Sequence, residues 1–320
     1  MNAIVAAGSS PVVEAAHPTV VMCYRLLDLA LPGGICDFTD GIYAEGESRS
    51  RAAYLKAQQR QSEYLLDEIR CGRDSHVLDI GCGNGRLLRQ AQQRGARAVG
   101  ITISEEQVAR CRQQGMDVHL LNYRNIPHGW DEAFDGLVAN GSLEHFVSAE
   151  DAAAGRDDEL YEEMFAICRR LVPAGCPLAT TAIHFREPGQ VQAEEIRRGP
   201  DAFERGSPRY HFAMVLQRTF GGWYPAPGQL ETRARGCFRL IHEVDGTQDY
   251  RLTSEYWLRR LKWSLAGNPR VWAGMVRKLA KYPRPTLDML RCLIIHQSWN
   301  WQFRGHPAPT RLLRQTWEAT

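Results

Sequence analysis

Between residues 48 and 70, Tyr54, Leu55, Gln58, Tyr64, Leu65 and Ile69 recur at helical spacing with no Pro or Gly, which predicts an amphipathic helix. The period changes at residue 76. Residues 76–80 (HVLDI) are a short apolar run ended by Gly81, and a helical pattern resumes over 87–93, so strand, tight turn and helix follow one another. Residues 98–103 (AVGITI), 118–121, 134–139 and 177–185 read as four further strands. A helix is expected from Ser104, whose hydroxyl can cap the free amides, and another over 161–171, stopped by Pro173 and Gly175. Strands alternating with helices at this spacing predict an α/β fold with a doubly wound, mostly parallel sheet and a ligand at the carboxyl ends of its strands. After Phe185 the pattern breaks. Residues 186–235 are rich in Arg, Gly and Pro and lack periodicity, residues 237–244 resume as a strand, and 250–265 carry Trp257, Leu258, Leu261 and Leu265 on one helical face. A helical stretch containing 290–302 and a last strand over 310–317 complete the pattern.

Four segments are expected from this: an N-terminal tail and helical cap (1–70), a ligand-binding core (71–185), a lid insertion (186–235), and remaining core strands with aromatic, basic C-terminal helices (236–320). No apolar run approaches the roughly 18 residues of a membrane span. The first 16 residues lack a basic start and read as a tail rather than a signal peptide, so a cytoplasmic protein is expected. Nine cysteines without a C-x-x-C pair argue against a disulfide framework and a zinc site, and no metal is expected. Net charge is only +2, but residues 251–320 hold 13 Lys and Arg against Glu255, Asp288 and Glu318, a balance of +10 set against −8 for the rest. Six of the eight tryptophans lie there too. Either these are solvated helix faces with aromatics packed inward, or the stretch serves an anionic partner such as an anionic membrane surface. Zinc-finger and aromatic RNA-binding signatures are missing, so nucleic acid is not expected as a partner.

The chemistry concentrates in VLDIGCGNG, residues 77–85. Gly81, Gly83 and Gly85 directly follow a strand, where lack of a Cβ lets the backbone turn sharply and approach a ligand. Asp79 discriminates among nucleotide folds, because a carboxylate at the strand end meets the cationic amino group of a methionine moiety. The G-x-G-x-x-G frame for a pyrophosphate fails, since position 86 is Arg.

With VLDIGCGNGRL, VGITISEEQ (99–107), LNYRNIP (121–127) and SLEHF (142–146) in this order and spacing, the sequence resembles the class I S-adenosylmethionine-dependent methyltransferases, and within them the cyclopropane fatty acid synthase and mycolic acid cyclopropane synthase family. The resemblance implies a Rossmann-like core and S-adenosyl-L-methionine as cofactor, leaving as S-adenosyl-L-homocysteine. By it Asp79, Gly81 and Gly83 face the methionine portion, Thr102, Ser104 and Gln107 take the ribose and nearby groups, and Asn140, at the end of the strand before the active site, is a further cofactor-binding residue. It also makes Glu144 and His145 the catalytic pair beside the methyl. The likeness is good over residues 36–184 and thinner afterwards.

Two departures bear on the reaction. Cyclopropanating members hold a bicarbonate ion with a cysteine and a histidine; here FTDGIYAEGE (38–47) has no cysteine, and Thr180 or Thr181 stands at the histidine's approximate place, with Cys36 and His184 close by but out of register. The favoured expectation is therefore C-methylation of an unsaturated acyl lipid or similar hydrophobic, or anionic amphiphilic, substrate, with ring closure less favoured. The alternative is N- or O-methylation of a small molecule, and a third reading is a non-catalytic module that binds S-adenosylmethionine.

Overall fold

The computed structural model describes residues 18–35, 37–47 and 50–320. The expected N-terminal tail and Cys36 lie outside them. Among the described residues eight α-helices reach eight residues or more: α1 Pro18–Leu27, α2 Arg51–Glu68, α3 Arg86–Gln93, α4 Glu105–Gln113, α5 Asp157–Leu171, α6 Thr247–Gly267, α7 Pro269–Lys281 and α8 Pro283–Leu290. They surround a seven-stranded sheet, β1 His76–Ile80, β2 Arg97–Thr102, β3 Asp117–Leu120, β4 Gly136–Asn140, β5 Pro177–Phe185, β6 Phe238–Asp245 and β7 Thr310–Ala319, in the order β3-β2-β1-β4-β5-β7-β6. The first five strands run parallel, and β7 is antiparallel to both β5 and β6. This is the Rossmann-like sheet that the alternating pattern predicts. All nine residues of β5 are buried, as a strand covered on both faces requires.

α5 shows why the helices settle where they do. Tyr161, Met164, Phe165, Cys168 and Leu171 repeat every three or four residues and are buried, while Asp157, Asp158 and Glu159 in the first turn and Arg169 and Arg170 in the last oppose the helix dipole. Residues 186–235, expected as irregular, contain several short helical pieces instead, including Pro208–Phe212 running into a π-helix over Ala213–Thr219. Tyr210 through Leu216 are buried without interruption, so no amphipathic period exists for a sequence reading to detect. The helical stretch expected to contain 290–302 is present but interrupted: a π-turn over Arg291–Ile295 ends before Gln297, whose φ of 52° starts a separate short helix at Ser298. No helix among the described residues is long and apolar enough to cross a membrane. The eight described cysteines are free thiols.

Candidate active site

The carboxyl end of β1 is pulled across β2: the backbone N–H groups of Gly81 and Cys82 both donate to the Ile101 carbonyl, at 2.9 and 3.0 Å. Gly81 takes a φ of 87°, and a Cβ there would stand 2.8 Å from Cβ of Ser142, whose hydroxyl is donated to the Ile80 carbonyl. At Gly83 (φ 53°) a Cβ would meet no protein atom within 4 Å. That direction opens into a cavity. It has a volume of about 290 Å³, is walled by Ile80, Ile101, Thr102, Gln107, Tyr123 and Phe146 among others, and is covered by Val20 and Tyr24 of α1. A smaller lobe of about 80 Å³ shares Tyr24, Gly81, Gly83 and Gln107 in its wall and adds Asp37, Thr39, Asp79, Arg86 and Asn140. The two lobes differ in character, the larger mainly apolar and the smaller rich in polar groups.

Asp79 is 3% exposed, and its Oδ1 has no hydrogen-bond partner. Burial, with smaller contributions from Cys111 and Asp37, pushes its carboxyl up to about 7. A carboxylate so placed lacks a cation, which a ligand amino group would supply. Asn140 is fixed by its Oδ1, which accepts from the hydroxyls of Thr39 (3.0 Å) and Thr181 (2.6 Å). Thr102 donates its hydroxyl to Gln107 Oε1 at 2.7 Å, leaving the Gln107 amide N–H groups for a ligand. Ser104 is otherwise engaged: its Oγ accepts from the Gln107 backbone N–H at 3.3 Å and donates to Glu106, and it is not part of either lobe's wall. Of its two expected roles, the structure shows it as the cap of α4.

Glu144 and His145 sit in one 3-10 turn, Leu143–His145, just past β4 and Gly141. Adjacent residues of such a turn diverge by about 120°. His145 lines the larger lobe edge-on to Tyr24 (5.6 Å between centroids, 72°), and burial pushes its imidazole down to about 4, so it is neutral at physiological pH. Glu144 turns away from both lobes into the protein. It is 5% exposed, its Oε2 has no partner, and its charge acts on the phenols of Tyr24, Tyr161, Tyr224 and Tyr250. Burial, and to a lesser degree the Asp40 charge, pushes its carboxyl up to about 8. The turn is clamped by the Trp223 N–H, which donates to the Glu144 carbonyl at 3.0 Å, and Gly222 (φ 97°) is required because any Cβ would collide with that same oxygen.

Thr180 accepts from the Trp317 indole at 3.0 Å, and Thr181 is bonded to Asn140, so both hydroxyls are occupied. His184 is 2% exposed with both ring nitrogens unpartnered, and burial pushes its imidazole down to about 3. Sequence reasoning did not single out Val20 and Tyr24, the cover of the site, nor Asp37, Asn122 and Tyr123. The stacking of Tyr123 on Phe146 (4.1 Å, 22°) makes a flat wall, and its only sequence signal was its place in LNYRNIP.

Sheet order, glycine turn and strand-end carboxylate together define the class I methyltransferase type of Rossmann-like protein. Residues 48–276 match the model of the family described as mycolic acid cyclopropane synthetase, and the chain belongs to that family. It is 35% identical over 99 residues to a probable fatty acid methyltransferase of Pseudomonas putida, a match covering 28% of this chain and 25% of that protein. The first curated relatives are each matched over less than two fifths of their own length. In fold the chain resembles the cyclopropane synthase MmaA2 of Mycobacterium tuberculosis (TM-score 0.70, 18% identity, 96% of this chain and 100% of that one). It also resembles a mycolic acid cyclopropane synthase complexed with SAH and CTAB (TM-score 0.67, 19% identity, 94% and 97%).

Proposed function

We propose that the chain transfers a methyl group from S-adenosylmethionine to a carbon of an unsaturated acyl chain. The observation that carries this reading is Glu144, a buried carboxyl without a hydrogen-bond partner on Oε2, whose charge acts on the phenols of Tyr24, Tyr161, Tyr224 and Tyr250. When bound, the cofactor supplies an electrophilic methyl on a sulfonium. The residues present fit it: Asp79 meets the ammonium of its methionine part, Gly83 lets its backbone lie against the turn, Gln107 reaches the ribose, and the Tyr123–Phe146 wall takes the flat base.

The acceptor's π electrons form the new carbon–carbon bond as the carbon–sulfur bond breaks, which leaves positive charge on the acyl chain. Aromatic faces and a carboxylate are what stabilise such a cation in a site without water. The cation then loses a proton from a neighbouring carbon and an alkene is restored; ionised Glu144, one residue from His145 of the lobe wall, is the carboxylate assigned to take it, once its side chain turns toward the lobe. His145, neutral, positions Tyr24 against the cofactor lobe. Since the Thr180 and Thr181 hydroxyls are already bonded, the reading stops at methyl transfer rather than ring closure. The names of the fatty acid methyltransferase and the cyclopropane synthases support a hydrophobic acceptor.

The test is incubation with methyl-labelled S-adenosylmethionine and dispersed monounsaturated acyl lipid. Label in the lipid fraction, with a mass gain of one methylene unit, is expected. Label confined to small polar acceptors would replace this reading with the N- or O-methyl alternative.

A further inference from the structure

Helices α6 to α8 present two unlike faces. Exposed on their outer side are Trp263 (76% exposed), Val276 (58%), Leu287 (44%) and the following Ile295 (64%), with Trp272 (48%), whose indole N–H donates to the Leu265 carbonyl at 2.7 Å. Interleaved with them are Lys262, Arg270, Arg277, Lys278 and Arg284, for which no carboxylate lies within ion-pair distance among the described residues. The carboxylates of this stretch are already taken: Glu255 by Arg304 at 2.6 Å, and Asp288 by Arg291 at 3.1 Å and Arg218 at 3.5 Å. The face is thus cationic and apolar together. Arg260, which belongs to the same basic stretch of sequence, is turned inward onto the Gly33 carbonyl and takes no part.

Beneath these helices lies an apolar cavity of about 50 Å³, walled by Leu26, Leu265, Val271, Met275, Met289 and Leu293 among others. On α7, Val271 and Met275 face this cavity while Trp272 and Val276, one residue further on, face out. Leu27 of α1 belongs both to this cavity and to the polar lobe that holds Asp79. Leu27 therefore stands between the apolar cavity and the polar lobe.

We propose that α7 and α8, with Trp263, are a docking face for an anionic bilayer, and that the cavity beneath is the port by which one acyl chain of a bilayer lipid reaches the site. The port rests on the acyl reading above; the docking face does not. Indole rings belong at the level of lipid headgroups, Lys and Arg meet lipid phosphate, and aliphatic tips enter the acyl boundary. An acidic soluble protein would satisfy the cations but would gain little from this many protruding apolar side chains.

The full chain is sedimented with vesicles of monounsaturated phosphatidylglycerol, or of phosphatidylcholine with the same chains, at low and high salt. Binding to the anionic vesicles at low salt is expected, at least tenfold weaker for the neutral lipid or at high salt. Trp263→Ser with Val276→Ser, both on the surface, should weaken binding at least tenfold while leaving turnover on detergent-dispersed acyl lipid unchanged. Met275→Trp, which fills the cavity, should keep vesicle binding and lose at least tenfold in methyl transfer to vesicle lipid. No binding to anionic vesicles at low salt overturns the proposal, as does tighter binding to an acidic acyl-carrier protein than to vesicles. Methyl transfer to dispersed lipid without vesicle binding removes the docking face and keeps the acyl reading; vesicle binding without any lipid methylation keeps the face and removes the port with that reading.

Discussion

Arg314 on β7 forms an ion pair with Asp40, 274 residues earlier in the chain, with neither side chain more than 2% exposed. The same guanidinium donates to Gln61 Oε1 of α2 at 2.9 Å and to Asp249 Oδ2 of α6 at 3.0 Å, and so ties the N-terminal segment to both. Burial pushes the Asp40 carboxyl up and Arg314 pulls it back only in part.

Removing one partner from such a pair strands a buried charge, at a cost of about 3–5 kcal/mol. Arg314→Met is expected to destabilise by roughly that much in urea unfolding. Asp40→Asn should cost less, because the amide still accepts from the guanidinium, and it should lower the Glu144 pKa, since the Asp40 charge helps to raise it. An Arg314→Met protein as stable as the parent would show that the network is dispensable.

Ser104 and Gly83 separate a structural role from a ligand role. Ser104→Ala removes the cap of α4 and should destabilise by about 1 kcal/mol with cofactor affinity nearly intact. Gly83→Leu places a side chain in the open direction above the turn and should abolish binding in calorimetry. The converse pattern would reassign both residues.

For Asp79 the sign of the pH effect is fixed by its raised pKa. Between the unfolded value near 4 and the folded value of about 7, the native state holds a proton that the unfolded chain has lost, so this group's contribution to stability falls as pH rises through that window and is flat above it. Asp79→Asn should therefore raise the melting temperature of the cofactor-free protein at pH 8 and change it little at pH 4, while weakening cofactor binding at least tenfold. A variant that melts like the parent at pH 8 would refute the uncompensated charge.

Glu144 must be ionised to accept a proton, so kcat/KM in the cofactor-free starting state should climb with pH toward a plateau above about 8. Glu144→Gln should flatten this limb and reduce kcat at least 100-fold with cofactor affinity within about twofold of the parent. Equal losses in affinity and turnover would point to a role in holding the turn.

The first five strands were legible because each is a short, largely apolar run closed by a polar residue or glycine, β6 and β7 carried a weaker signal because Arg, His, Glu and Gln stand among their apolar residues, and the glycine turn was legible because a close approach explains Gly81 and Gly83 after a strand. The opposite headings of Glu144 and His145 were not legible, since the pattern E-H says nothing of the 3-10 turn that points one to the cofactor lobe and the other to the tyrosines. Val20 and Tyr24 were missed for a different reason. The other residues of the lobe they close run from Ile80 to Asp151, and local periodicity carries no information at that range. Ser104 fitted two roles in sequence, and the structure shows the capping one.

α1 closes the cofactor lobe with Val20 and Tyr24 and walls the apolar cavity with Leu26 and Leu27. Ten residues thus serve as one partition between two chambers. A displacement of this one helix is therefore felt in both chambers at once.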